Sequence, residues 1–319
     1  MRVLVTGAAG MLGHDLCNEL ERQSHEVIRT DIRTKESKIR KLDVTDKNGV
    51  FAAVEQIKPD LVAHLAAETD VDKCEVEQDH AYLTNTIGTL YATLAAQKFN
   101  TLMVYISTAG VFDGKSLKPY TEFDTPNPIN VYGKSKYEGE KIVQNLLNRY
   151  FIIRPGWMVG GGKERDKKFV YKLLKQLEDG KKDFNIVTDK IGSLTYTADF
   201  AKNFMPLIET HNYGLYHMTN KGYGSRYDLA KKIFEVLKIE DINLNAVTSE
   251  LYPKENYGVF SSTPTPAPRP DSEAMRNYKL ELLGLNNMNH WEEAVEDYVK
   301  THFLGKIQFR SHENSMPKV

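Results

Sequence analysis

Gly7, Gly10 and Gly13 stand three residues apart, directly after the apolar run Arg2 to Thr6, and open a stretch, Met11 to Arg22, whose apolar residues recur at helical spacing. A strand that turns through such glycines into a helix belongs to chains that build parallel sheets with helical crossovers. Glycine permits the tight turn and lets backbone approach a pyrophosphate, whose charge the free amides and positive end of the helix stabilise. Gly7, Gly10, Met11, Leu12 and Gly13 are therefore candidate dinucleotide contacts. The next apolar run ends in Asp31, eighteen residues after Gly13, where a carboxylate accepts hydrogen bonds from an adenosine ribose diol, unless it merely closes a strand in a turn. Beside a 2′-phosphate it would repel by roughly 4 kcal/mol at about 4 Å and an effective dielectric near 20. NAD(H) is favoured on this ground; Arg29 and Arg33 flank Asp31, soften the preference and leave NADP(H) as the second option.

The glycine turn is the first unit of a longer alternation. Short β-branched runs, Arg2 to Thr6, Glu26 to Thr30, Leu61 to Leu65, Leu102 to Ser107 and Tyr150 to Arg154, alternate with helical patterns at Met11 to Arg22, His80 to Lys98 and Val131 to Asn148. The expected fold class is α/β, a Rossmann-type doubly wound parallel sheet over residues 1–155 with a smaller C-terminal α/β substrate-binding region over 156–305. Later segments such as 186–212 are expected to return to the first domain. Past Pro155 the alternation gives way to Gly160, Gly161 and Gly162, a helix around Phe169 to Leu177, a Pro-rich extended loop at Thr263 to Pro270, and a closing helix with Trp291 to Tyr298. Residues 306–319 read as a flexible polar tail.

Tyr132 and Lys136 begin a predicted helix four residues apart, which puts both on one face. Such a pair is common on soluble helices by chance, but this one follows a dinucleotide turn at the distance expected for the fifth strand and its helix. A nearby ammonium lowers the cost of phenolate, so the pair suits proton transfer. Ser107 and Thr108 end the preceding strand at the carboxyl edge of the sheet, where a hydroxyl holds a substrate carbonyl. Thr108, Tyr132 and Lys136 are the candidate catalytic residues.

Together these residues resemble the extended short-chain dehydrogenase/reductase family. Leu65 to Glu75, Ile106 to Gly114 and Pro128 to Lys136, with Asp189 to Asp199, Gly214 to His217 and Pro266 to Pro270, are similar to dTDP-4-dehydrorhamnose reductases. The resemblance spans nearly the whole chain through Tyr298. It implies NAD(P)H-dependent reduction of the 4-keto group of a nucleotide-linked 6-deoxyhexose in deoxysugar or polysaccharide synthesis, with the proton from Tyr132 and the carbonyl oriented by Thr108. It also implies that Asp43 and Val44 meet the adenine, Ala66 and Ala67 wall the cofactor, and Trp157 lies beside the sugar, where the alternative is a core aromatic. Arg269 reaches a substrate phosphate or else makes a surface ion pair. The resemblance allows a homodimer. One departure stands out: Ala109 and Gly110 occupy the place where family members usually carry Asp-Tyr, so an acidic sugar contact and an aromatic wall are missing. A pocket without those two side chains is expected to take a bulkier or differently hydroxylated sugar.

Composition narrows the alternatives. Among 319 residues, 42 Lys and Arg face 43 Asp and Glu, so no net field draws nucleic acid or an anionic membrane. No run of about 18 apolar residues suits a membrane span, and the opening residues lack the pattern of a signal peptide, so a cytoplasmic protein is expected. Cys17 and Cys74 lack ligand spacing and the nine histidines show no metal pattern, which argues against a metal site; His64 and His217 read as hydrogen-bonded core residues. Two other functions remain open: an epimerase or dehydratase that retains its NAD, and a non-catalytic regulatory subunit of the same fold.

Overall fold

In the computed structural model, which describes residues 1–34, 36–251 and 266–305, the first half of the chain reads β1 (Arg2–Thr6), α1 (Met11–Arg22), β2 (Glu26–Asp31), β3 (Arg40–Lys41), α2 (Lys47–Ile57), β4 (Leu61–His64), α3 (Val71–Val76), α4 (Gln78–Tyr82), a π-helical turn (Leu83–Ile87), α5 (Gly88–Lys98), β5 (Leu102–Ile106), α6 (Val131–Leu146) and β6 (Tyr150–Arg154). The second half reads β7 (Trp157–Val159), α7 (Gly162–Arg165), α8 (Phe169–Glu178), β8 (Asp183–Val187), β9 (Ile191–Gly192), β10 (Leu194–Tyr196), α9 (Thr197–Ile208), β11 (Gly214–His217), β12 (Gly224–Ser225), α10 (Arg226–Leu237), β13 (Asn243–Val247), β14 (Ser272–Glu273), α11 (Tyr278–Leu282) and α12 (Trp291–His302). The expected 306–319 tail and the first residues of the Thr263 to Pro270 loop lie outside the described residues.

Seven strands form one sheet in the order β11-β6-β5-β4-β1-β2-β3, with every pairing parallel. The chain is thus the doubly wound α/β fold expected from its alternation. Strands buried on both faces carry continuous apolar runs, because successive side chains point to opposite sides and both sides are covered. In β1, Val3 and Val5 pack with Leu12, Leu16 and Leu20 of α1 and Phe200 and Phe204 of α9. Leu4 points the other way, toward Val50 and Val54 of α2, while Met103, Tyr105 and Ile152 meet Ala92, Ala96 and Val143 of α5 and α6.

The order reverses beside β1, since β2 and β3 lie to one side of it and β4 to the other. Such a switch leaves a crevice at the carboxyl ends of the strands, and ligands of open α/β sheets bind there. A separate apolar cluster joins β7, α8, β8, β10, α10 and α12, so the later residues build a core of their own beside that edge.

Of the expected return at 186–212, the part from 197 on rejoins the large sheet and its first residues do not. Ile186 and Val187 pair with β13 in a small two-stranded sheet. The return consists of α9, whose Phe200, Phe204 and Leu207 join the core under α1, and β11, which extends the sheet beyond β6. Strand β3 and helix α2 were not expected. The first is two exposed residues with no apolar pattern; the second starts at an Asp46 cap whose carboxylate accepts from Asn48 N–H at 3.1 Å. No described helix is long and apolar enough to cross a membrane.

Candidate active site

The glycine turn sits at the carboxyl end of β1, beside the crevice. Gly7 has φ +73°, and a side-chain carbon there would come within 2.7 Å of the Ala66 amide nitrogen. At Gly13 it would lie 2.3 Å from the Gly7 carbonyl oxygen. Both positions therefore require glycine, one for conformation and contact, the other because α1 lies directly on the turn. Gly10 leads into α1 with no side-chain cap and no acidic residue in the first turn, so the positive end of the helix faces the crevice uncompensated. Leu12 is buried in the core and offers a ligand only its backbone. This cradle fits a dinucleotide diphosphate.

Asp31 ends β2, almost fully buried. Its Oδ2 accepts from the Ala9 amide at 3.0 Å and its Oδ1 from the Arg33 amide at 2.8 Å and Arg33 Nε at 3.2 Å. The carboxylate thus braces the glycine turn. Of the two flanking arginines only Arg33 stays in play, because buried Arg29 turns to Glu21 and Asn18. Asp43 spends Oδ1 on the Thr45 amide and hydroxyl, and Val44 packs where any side chain at Gly88 would strike it. Ala66 and Ala67 follow β4, with the Ala66 amide donating to Thr6 Oγ1 at 3.3 Å.

The acid–base group is assembled by α6. Asn130 caps the helix, accepting from the Gly133 amide at 2.8 Å and donating to the Pro268 carbonyl at 2.9 Å. Glu75 holds the Val131 amide at 3.0 Å. A side chain at Gly133 would meet the Gly110 carbonyl at 2.1 Å, and that close approach brings Tyr132 beside Thr108. Burial pushes the Tyr132 phenol up to about 12, against the nearby Thr108 hydroxyl, with Cys74, Glu273 and Glu68 adding to the rise. Burial also brings Lys136 down to about 7, while Glu140 pulls it back up. Its Nζ lies 4.3 Å from the Tyr105 ring centroid. Desolvation dominates, and the phenol stays protonated at neutral pH.

Behind this group lies a buried ion pair absent from the sequence reading. Glu140 accepts from Arg154 Nε at 2.8 Å, Arg154 Nη2 at 2.6 Å and the Ser107 hydroxyl at 2.5 Å. Ser107 is thereby committed to packing and only Thr108 faces the crevice. Asn85, in the π-helical turn, bridges the Glu68 amide and carbonyl to Ser135 Oγ at 2.8, 3.1 and 3.0 Å. A π turn inserts a residue into a helix and re-aims its side chain; here it clamps α6 one residue short of Lys136.

On the far side, Trp157 is half-buried and donates from Nε1 to Glu273 Oε2 at 2.7 Å. The Arg226 guanidinium stacks on the indole, 3.5 Å from its centroid, and burial brings Arg226 down to about 10. Arg269 pairs with buried Asp72 at 2.7 Å and donates to the Ala267 carbonyl at 2.9 Å, so it fastens its own loop. Lys168, Arg226 and Arg269 lie within electrostatic reach of one another.

The model of a family described as the RmlD substrate binding domain matches residues 1–303. The chain belongs to this family. Among relatives, the spore coat polysaccharide biosynthesis protein SpsK of Bacillus subtilis is 36% identical over 94% of this chain and 97% of its own. The dTDP-4-dehydrorhamnose reductase of Aggregatibacter actinomycetemcomitans is 32% identical over 93% and 97%. A crystal structure of dTDP-4-dehydrorhamnose reductase from Bacillus anthracis, in complex with NADP, superposes with a TM-score of 0.82 at 36% identity, covering 94% of this chain and 99% of that one. Membership in the extended short-chain dehydrogenase/reductases accords with the glycine turn and the Thr108, Tyr132 and Lys136 cluster.

Sequence reasoning missed Asn85, Glu140, Arg154, Arg226 and Glu273. Asn85 left one signal, a polar residue inside an apolar helical stretch, and Glu140 another, its place one turn beyond Lys136. Arg226 and Glu273 left none, because only strand pairing brings them to the crevice. His64 is the core residue it was expected to be, bonded to Thr6 and Thr89 at 2.9 and 3.2 Å. His217 departs from expectation, since its Nδ1 meets the Arg276 carbonyl at 3.2 Å but its buried Nε2 has no partner among the described residues. Both are brought down to about 3, chiefly by burial, and stay neutral. Burial likewise pushes Cys17 and Cys74 up to about 12, which leaves them unreactive thiols.

Proposed function

We propose that this protein is an NAD(P)H-dependent reductase of the 4-keto group of a dTDP-linked 6-deoxyhexose, serving polysaccharide synthesis. The observation that carries this reading is the placement of Tyr132 beside Thr108, through the close approach of Gly133 to Gly110, at the edge where the glycine cradle ends. A reduced nicotinamide dinucleotide held on the glycine turn, Asp31 and Lys136 supplies the hydride. Thr108 and Tyr132 bind the ketone oxygen, and Tyr132 delivers a proton to the forming alkoxide. A buried phenol near 12 holds that proton at neutral pH yet releases it to an alkoxide, the stronger base. Residues beyond 155 supply the sugar side, with Trp157 and Glu273 as walls and Lys168 and Arg226 as the cationic end facing the diphosphate.

Purified protein mixed with NADH or NADPH and dTDP-4-dehydrorhamnose is expected to oxidise one equivalent of cofactor per sugar. Cofactor binding without oxidation on any nucleotide 4-ketosugar would sink the reading and favour a non-catalytic subunit.

Both cofactors are expected to serve. The Asp31 carboxylate is already met by Ala9 and Arg33, and the exposed Arg33 guanidinium is placed to offset its repulsion of a 2′-phosphate. Arg33→Ala is expected to raise KM for NADPH roughly tenfold, the scale of a hydrogen bond to a charged group, and to leave NADH within about twofold. Equal losses with the two cofactors would instead mark Arg33 as a brace for Asp31.

Lys136 sets the pH dependence. Its ammonium is lost as pH rises through about 7, so kcat for reduction is expected to fall on the alkaline side while the Tyr132 phenol near 12 adds no limb there. A kcat profile that stays flat from about pH 6 to about pH 9 would contradict this assignment.

A further inference from the structure

Gly110 does not need to be glycine for any reason of backbone. It is absent from the positive-φ positions, and a methyl group there would sit 3.4 Å from Thr108 Oγ1 and 3.7 Å from Glu273 Oε1, ordinary contact distances. What the missing side chain leaves open is the space in front of the Glu273 carboxylate, next to Thr108. Where family members usually carry Asp-Tyr, this chain has Ala109 and Gly110 on one wall and a carboxylate facing them from another.

Two pieces of local structure aim that carboxylate. Strand β14 pairs with β9 so that Glu273 lies beside Gly192, and a side-chain carbon at 192 would come within 2.3 Å of the Trp157 indole. Glycine at 192 therefore lets the indole lie against the strand, where its Nε1 takes Glu273 Oε2 at 2.7 Å. With one oxygen anchored, the carboxylate cannot swing. Glu273 is half-buried, and its other oxygen, Oε1, borders the space that Gly110 leaves open. A carboxylate oxygen only accepts hydrogen bonds, so a hydroxyl donor entering that space meets a fixed acceptor.

Resting on the ketoreductase reading, we propose that Glu273 is the specificity residue of this protein: its Oε1 accepts a hydrogen bond from a hydroxyl on the sugar carbon next to the ketone, replacing the acidic contact that Ala109 and Gly110 lack. The position fits, because a ketone oxygen held by Thr108 places its neighbouring carbon in the space at Gly110, which Glu273 Oε1 also borders. A neutral donor fits better than an ammonium, since Arg226 on the same indole already balances the carboxylate charge. The substrate class that follows is a dTDP-linked 4-keto-6-deoxyhexose with its 3-hydroxyl in place, in preference to the 3-deoxy sugar.

The test compares kcat and KM on dTDP-4-keto-6-deoxyhexoses with and without the 3-hydroxyl, for the wild-type protein, Glu273→Ala and Glu273→Gln, with NADPH binding followed by its fluorescence. The wild type is expected to prefer the hydroxylated sugar by ~10- to 150-fold in kcat/KM, the range for a hydrogen bond to a charged group, and Glu273→Ala to bring that ratio within about threefold. Glu273→Gln keeps an acceptor oxygen and is expected to fall between them. In the Glu273→Ala background, Ala109→Asp with Gly110→Tyr is expected to restore a preference for the hydroxylated sugar; on wild-type Glu273 the same pair collides with the carboxylate and lowers turnover. An unchanged ratio in Glu273→Ala, or an equal loss on both sugars, overturns the assignment. Wild-type protein that binds NADPH but reduces neither sugar overturns the ketoreductase reading itself, and the assignment with it.

Discussion

Tyr132→Phe is expected to lower kcat for ketone reduction by about 10²- to 10⁴-fold, the usual contribution of a positioned general acid, with little change in cofactor affinity. The substitution removes one oxygen and leaves the ring, so the packing of α6 against the Gly110 turn persists. Thr108 remains to orient the ketone, but the alkoxide must then draw its proton from water. Lys136 does not replace the phenol, because its Nζ sits over the Tyr105 ring. The measurement is single-turnover reduction beside a fluorescence titration of NADPH. A loss smaller than about tenfold would show that the proton reaches the oxygen by another route.

Glu140→Gln is expected to destabilise the protein by about 3–5 kcal/mol, although the residue lies behind the reacting groups. The carboxylate is fully buried and takes both Arg154 nitrogens and the Ser107 hydroxyl. Arg154 already has one buried nitrogen, Nη1, without a partner among the described residues, and its guanidinium lies 5.2 Å from the Phe112 ring centroid. Removing the one carboxylate that meets it leaves a buried cation whose desolvation is no longer offset. Since Glu140 is also the carboxylate that supports the Lys136 ammonium, the alkaline fall in kcat is expected to move to lower pH in the same variant. Urea unfolding measures the first effect and the kcat profile the second. Glu140→Gln with Arg154→Met is expected to recover much of the stability, because the double change removes both buried charges. A single variant within about 1 kcal/mol of wild type would mean that water reaches Arg154.

How much of this was legible beforehand depended on whether each residue acts through its chain neighbours. The Gly7 to Gly13 turn is local: three glycines, a strand before and a helix after are enough to specify a phosphate cradle, because the free amides belong to those same residues. Tyr132 and Lys136 are local too, one helical turn apart. Strands β1, β4, β5 and β6 announced themselves as continuous apolar runs, since burial on both faces leaves no place for polar side chains. Strand β3 did not, being two exposed residues that pair with β2 only because the sheet is already there.

The sequence by itself determined the doubly wound sheet, the glycine turn at its edge and the placing of Tyr132 and Lys136 on one helix face. Tertiary structure alone decided the rest. It raised the Tyr132 phenol, because desolvation depends on everything packed around a group and not on its nearest partner. It turned Ser107 toward Glu140 and left Thr108 in the crevice. It set Glu273, more than a hundred residues away in the chain, against Gly110 through a two-residue strand pairing. Backbone conformation and helical spacing are written over a few successive residues; dielectric environment and contacts between distant strands exist only once the whole chain has closed around them.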